Sequence, residues 1–196
     1  FDRKADLATA RVLAEAEPRL EFEALLDLYY RLHPEASAAL HAKHMAHLAG
    51  EADQARAALD QIERRRPFGA GDALLEVGCG FGQHLEVAAE RVSRVAGIDL
   101  CLPFLILARK RLGERGLLVA AEAERLPFPD RSFAAVVAAD VIEHVWDQRA
   151  TLEQMGRVLA PGGHLFLSTP NRFSLAPEPH VDLWGVGFLP RSWARR

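Results

Sequence analysis

Through the first third of the chain, apolar residues recur at three- and four-residue intervals. Residues 2–66 hold a single glycine, Gly50, in a background of Ala, Glu, Leu and Arg. That period and composition predict helices. Leu25, Leu28, Tyr29 and Leu32 share one face, and Leu40, His44 and His47 lie near a second stripe. Pro18 and Pro34 are expected near helix starts, where the missing N–H is tolerated. Gly50 reads as a helix stop, followed by a further helix over about residues 51–66.

From Pro67 the pattern changes to short apolar runs alternating with helical stretches. The runs predict strands over Ala73–Val77, Arg94–Ile98, Leu117–Ala120, Phe133–Ala138 and Gly163–Thr169. Helices are predicted between them at Gln83–Val92, Pro103–Gly113 and Gln148–Leu159. Alternation of this kind, with nearly continuous apolar strands, calls for a mainly parallel sheet covered on both faces. Right-handed crossovers make it an open, doubly wound α/β sheet with a helical region in front. Residues 172–196, rich in Pro, Gly and aromatics, show no period and read as a loop or lid. The chain thus divides into a helical region (1–66), an α/β core (67–171) and a loop (172–196).

Composition narrows this picture. With 196 residues, 49% hydrophobic and 26% charged, the chain has the makeup of a globular domain. No apolar run reaches the roughly 18 residues of a membrane span. A net charge of −3 supplies no field for nucleic acid. Two cysteines, Cys79 and Cys101, suit a reducing cytoplasm and are expected as free thiols. His41, His44 and His47 recur every three residues and drift around a helix, so no metal site is expected. Arg64-Arg65-Arg66 reads as cationic residues meeting the end of a helix dipole.

Candidate chemistry concentrates after the first strand. Leu74-Leu75-Glu76-Val77-Gly78-Cys79-Gly80-Phe81-Gly82 runs a strand into a glycine-rich turn ahead of a helix. Glycines are needed where the backbone turns sharply and where a ligand approaches main-chain atoms. The G-x-G-x-G spacing differs from the G-x-G-x-x-G dinucleotide fingerprint, which disfavours a nicotinamide-dependent oxidoreductase. Asp99, 21 positions after Gly78, ends the second strand and would lie across the same crevice. A carboxylate there can accept hydrogen bonds from both hydroxyls of a ribose, and it can also cap the next helix.

Leu74–Gly82, Gly97–Leu100, Leu126–Phe133, Asp140-Val141-Ile142-Glu143-His144-Val145 and Leu159-Ala160-Pro161-Gly162-Gly163 follow in order. Together they resemble the Rossmann-fold (class I) S-adenosylmethionine-dependent methyltransferases, in particular the branch of ubiquinone and menaquinone biosynthesis. The resemblance covers about residues 70–171. It implies that Glu76 orders the turn and the methionine end of the cofactor. It also implies that Gly78, Cys79, Gly80 and Gly82 let the backbone approach the cofactor, and that Asp99 and Leu100 hold the ribose side. Glu122 would accept from the adenine amino group, and Ala123 would offer its amide. Ala121 stands where the family usually has Gly. Leu126–Phe128 would provide apolar surroundings for the adenine, and Asp140 would line the cleft beside the sulfonium. Pro161-Gly162-Gly163 would be a turn that delivers the fifth strand.

The implied reaction is methyl transfer from S-adenosylmethionine, with S-adenosylhomocysteine as product, by in-line displacement onto a small-molecule acceptor, expected at oxygen. Such catalysis rests mainly on alignment and exclusion of water. A base is needed only when the nucleophile must lose a proton. His144 is the first candidate, with a capping or packing role as its alternative. His180, in Pro177-Glu178-Pro179-His180, is the second, with an ordinary surface-loop histidine as its alternative. Trp184, Phe188 and Trp193 could wall the acceptor. A non-catalytic cofactor-binding module remains the other function class. The family adds a helix and two strands after the fifth, for which 25 residues leave no room, so the chain is expected to be part of a longer one.

Overall fold

The computed structural model describes residues 3–33 and 38–169. Its element order is α1 (Arg3–Ala16), a 3-10 turn (Glu17–Arg19), α2 (Phe22–Arg31), α3 (Ala38–Arg65), β1 (Ala73–Val77), α4 (Gln83–Ala88), β2 (Arg94–Asp99) and α5 (Leu102–Leu112). A second 3-10 turn (Gly113–Arg115), β3 (Gly116–Ala120), β4 (Phe133–Ala139), α6 (Gln148–Val158) and β5 (Leu159–Ser168) complete it. The five strands form one parallel sheet in the order β3-β2-β1-β4-β5. The order reverses beside β1, so a crevice opens between the C-terminal ends of β1 and β4, where α/β sheets bind ligands.

Core and edge strands differ in burial. Every residue of β1 is buried, as are Phe133 to Ala138 of β4. The edge strands β3 and β5 are only partly covered, and Leu117 is 56% exposed. The expectation of near-continuous burial therefore holds for the middle of the sheet, where both faces are packed, and fails at its edges.

Three elements depart from the predicted boundaries, the first being α4, which ends at Ala88 rather than Val92. Gly50 does not stop a helix: α3 runs through it for 28 residues. Glycine costs a helix only about 1 kcal/mol. Ala55, Leu59 and Ile62 anchor the second half of α3 against Leu74, Leu85 and Val92, and Arg91 pairs with Asp60 and Glu63. The Pro161-Gly162-Gly163 segment lies inside β5 as an irregularity rather than before it. Phe133 pairs with Leu159 and Ala135 with His164, so β5 spends five residues where β4 spends two, and Gly162 takes φ +73°.

The first helices are fastened to the α/β layer. Leu13 of α1 and Leu25 and Leu26 of α2 form a buried cluster with Leu107 of α5 and Phe81 of the glycine turn. Leu28 and Tyr29 pack onto this cluster, whereas Leu32, just past the end of α2, is exposed. Pro18 sits in the first turn of its 3-10 segment, as the missing N–H favours. Residues 172–196, with His180, Trp184, Phe188 and Trp193, lie outside the described residues, as does Pro34. Among the described residues, no helix is long and apolar enough to cross a membrane, and no group of three or more His, Cys, Asp or Glu could hold a metal.

Candidate functional site

The glycine turn is built from the sheet outward. The amides of Gly78 and Cys79 both donate to the Ile98 carbonyl, each at 2.9 Å, which clamps the turn over the end of β2. Gly78, Gly80 and Gly82 all take positive φ (71°, 48° and 78°), the left-handed region that favours glycine. A Cβ on Gly78 would lie 2.4 Å from Val141 Cγ2, so the turn also abuts the segment after β4. A Cβ on Gly80 would meet nothing within 4 Å, which leaves the space above this residue open.

Asp99 ties the two strand ends together. Its Oδ2 accepts from Gly80 N at 3.0 Å and its Oδ1 from Cys101 N at 2.8 Å. Its carbonyl accepts from Ala121 N, which brings the end of β3 into the same site. Burial raises the Asp99 carboxyl above its ordinary range, opposed by the Cys101 and Gly80 amides. Each carboxylate oxygen retains a lone pair after these bonds, so further donors can be accepted.

Glu76 is 2% exposed, and its Oε1 meets His84 Nδ1 at 2.8 Å. His84 is a partner that sequence reasoning missed. The two stand eight positions apart, and only the turn's conformation brings the first turn of α4 back over β1. Cys79 is buried beneath β2, where a Cβ on Gly97 would come within 2.8 Å of its Sγ. Burial pushes the Cys79 and Cys101 thiols up, so both stay protonated, and both are free of disulfides.

On the other side of Asp99, a cavity of about 430 Å³ is lined by Leu100, Leu102, Ala121, Glu122 and Arg125 together with Asp6 and Leu7 of α1. Leu100 and Glu122 are exposed at this cavity, whereas Ala123 is buried against Leu126 and Ile98. The loop beyond Ala123 is pinned by Arg157, whose guanidinium donates to the carbonyls of Leu126 and Phe128, each at 2.8 Å. Sequence inspection did not single out Arg157 or Asp6.

Asp140 follows β4 in a left-handed conformation (φ 55°), exposed, with its amide on the Ser168 carbonyl. A non-glycine residue held at positive φ at a strand end is the sort of strained position found at ligand sites. His144 is exposed on the turn beyond it, its amide donating to Val141 O. Glu143 accepts from Thr169 Oγ1 at 3.1 Å, which joins this turn to the residue after β5. Glu76, Gly78, Cys79, Gly80, Gly82 and Asp99 thus share one end of the sheet with Leu100 and Glu122 on one flank and Asp140 and His144 on the other.

The donor set fits an adenosyl cofactor: an open glycine cradle, a carboxylate at the end of β2 and a largely apolar cavity beyond it. The family model described as a methyltransferase domain matches residues 75–167. The ubiquinone biosynthesis O-methyltransferase of Azoarcus sp. (strain BH72) is 39% identical over 108 residues, covering 53% of this chain and 46% of the relative. The ubiquinone/menaquinone biosynthesis C-methyltransferase of Chromobacterium violaceum is 33% identical over 127 residues, covering 62% and 52%. The chain therefore spans about half the length of these curated relatives. Among solved structures, the amino pentose methyltransferase of Micromonospora echinaspora with bound S-adenosylmethionine superposes with a TM-score of 0.56 at 34% identity, covering 62% of this chain and 53% of that one. Clamped glycine turn, strand-end carboxylate and sequence similarity agree: residues 75–167 belong to the class I S-adenosylmethionine-dependent methyltransferases.

Proposed function

We propose that this chain transfers the methyl group of S-adenosylmethionine to an oxygen of a small-molecule acceptor. The observation that carries the reading is the clamp at the sheet's C-terminal end. Gly78 and Cys79 are held on Ile98, and Gly80 on Asp99, leaving a cradle beside a carboxylate. Asp99 and Leu100 would hold the ribose, and Glu122 and the Ala123 amide the adenine. Glu76, steadied by His84, would order the methionine end, next to Cys79 and Gly82. Asp140 would border the reacting centre. When bound, the sulfonium supplies an electrophilic methyl group. The protein's part is to align the acceptor and exclude water, which is worth several kcal/mol. His144, exposed at the rim, would take the proton of an acceptor hydroxyl, with His180 as the second candidate. In the same reading, residues 1–66 form the helical cap, 67–171 the cofactor core and 172–196 the acceptor-side loop.

The relatives include one named for transfer to oxygen and one for transfer to carbon, so the acceptor atom is tested directly. The test is calorimetric titration of the chain with S-adenosylhomocysteine, then transfer of labelled methyl to phenolic, sugar-hydroxyl and activated-carbon acceptors. Asp99→Ala is expected to abolish S-adenosylhomocysteine binding. Binding of NADH without S-adenosylhomocysteine would overturn the cofactor assignment. Label on carbon alone would overturn the oxygen assignment, and tight binding with no transfer to any acceptor would favour a non-catalytic module.

A further inference from the structure

The N-terminal helix reaches the cofactor side of the sheet through one carboxylate. Asp6 of α1 accepts from Leu102 N at 3.3 Å through Oδ2 and from the Cys101 thiol at 3.4 Å through Oδ1. Leu102 opens α5, and the residue before it, Cys101, offers no side-chain cap of its own. Asp6 therefore serves as a cap supplied from another helix, 96 residues away along the chain. The amide next to it, Cys101 N, is the one that holds Asp99 Oδ1. Two carboxylates divide the start of α5 between them, with Leu100 on the turn that joins them. Asp6 and Leu7 also line the 430 Å³ cavity that Leu100, Ala121 and Glu122 share.

We propose that Asp6 is a positioning residue of the cofactor site, fixing the Asp99–Leu102 turn so that the Asp99 carboxylate and Leu100 are already in place for the nucleoside. The proposal rests on the cofactor reading given above. Leu13, buried between α2 and α5, keeps α1 on this surface, so the cap is held by packing as well as by its own hydrogen bonds. Without Asp6, the Leu102 amide and Cys101 thiol lose their acceptor, and the turn samples other conformations. A binding-competent state populated only a fraction of the time weakens apparent affinity by that fraction. Loss of a helix cap shifts the equilibrium it supports by a factor of roughly 2 to 30.

The experiment compares the full chain with Asp6→Ala and Asp6→Asn by calorimetric titration with S-adenosylhomocysteine, thermal unfolding, and steady-state kinetics. The expected result is affinity about tenfold weaker in Asp6→Ala and about threefold weaker in Asp6→Asn, which keeps an acceptor oxygen. KM for S-adenosylmethionine rises in step, while kcat at saturation is unchanged. A cap with only a structural role would lower the melting temperature and leave affinity untouched, and that result overturns the proposal. Should Asp6→Ala not fold, Asp6→Asn decides: wild-type affinity in that variant overturns it equally. Absence of binding by the wild-type chain refutes the cofactor reading itself, whereas wild-type binding matched by both variants refutes only the role of Asp6.

Discussion

Gly97 gives the sharpest quantitative test of how the glycine turn is supported. It lies in the middle of β2, in register with Glu76 on β1 and Leu118 on β3. An added Cβ would stand 2.5 Å from Leu85 Cδ1, 2.8 Å from Cys79 Sγ and 2.9 Å from Cys79 Cβ. Carbon atoms in contact prefer roughly 3.5–4.0 Å, so these neighbours must retreat by about 1 Å. Neither has room: Leu85 is fully buried, and Cys79 N is bonded to Ile98 O. Overpacking of this kind costs about 1–3 kcal/mol, offset by about 0.4–1 kcal/mol of lost unfolded-state entropy. Gly97→Ala is therefore expected to lose about 1–2 kcal/mol, or about 2–8 °C in melting temperature. Binding of S-adenosylhomocysteine should weaken as well, because the displaced residue belongs to the turn. Urea unfolding and calorimetric titration measure the two effects. Gly156→Ala is the control, since Gly156 is exposed on α6 and its Cβ would meet nothing within 4 Å; it should gain about 0.5–1 kcal/mol. In a Leu85→Ala background, Gly97→Ala should cost less, because the shortest contact is gone. An unfolding free energy for Gly97→Ala at or above wild type would refute the packing argument.

Two further outcomes follow from the site's surroundings. Arg157→Ala strands the carbonyls of Leu126 and Phe128 and releases Asp130, so it should lose about 2–3 kcal/mol by thermal melt, with Arg157→Lys recovering less than half because one ammonium nitrogen on a shorter stem cannot reproduce the reach of two separate guanidinium nitrogens; an unchanged melt would show that the loop needs no such tie. The raised Asp99 carboxyl favours the protonated folded state, so its contribution to stability is present below the ordinary value of 3.8 and is lost as pH rises through the native value. Ribose hydroxyls need the ionised acceptor, so S-adenosylhomocysteine affinity should strengthen across that same window, measured by titration from about pH 4 to 7, and Asp99→Asn should flatten it; a flat wild-type profile would count against Asp99 as the acceptor.

The alternation of strands and helices is legible in the amino-acid order alone, because the strand and helix periods are local and each element is bounded by its own punctuation. β1 and the start of α4 were legible to the residue. So was the turn between them, since three alternating glycines after an apolar strand admit few conformations. Asp99 could be placed because parallel register puts the ends of neighbouring strands side by side. Tertiary structure decided what depends on distant partners. Gly50 stays helical because Ala55, Leu59 and Ile62 are packed on α4, a gain that outweighs the glycine's local cost. The Pro161-Gly162-Gly163 segment becomes a bulge because β4 pairs on both sides of it. The glycine turn's Phe81 is buried by helices that precede it by more than fifty residues, and Asp6 finds the start of α5 from 96 residues away. No window of the sequence contains such pairs. Their energy comes from burial and capping, which exist only once the first helices have closed onto the sheet.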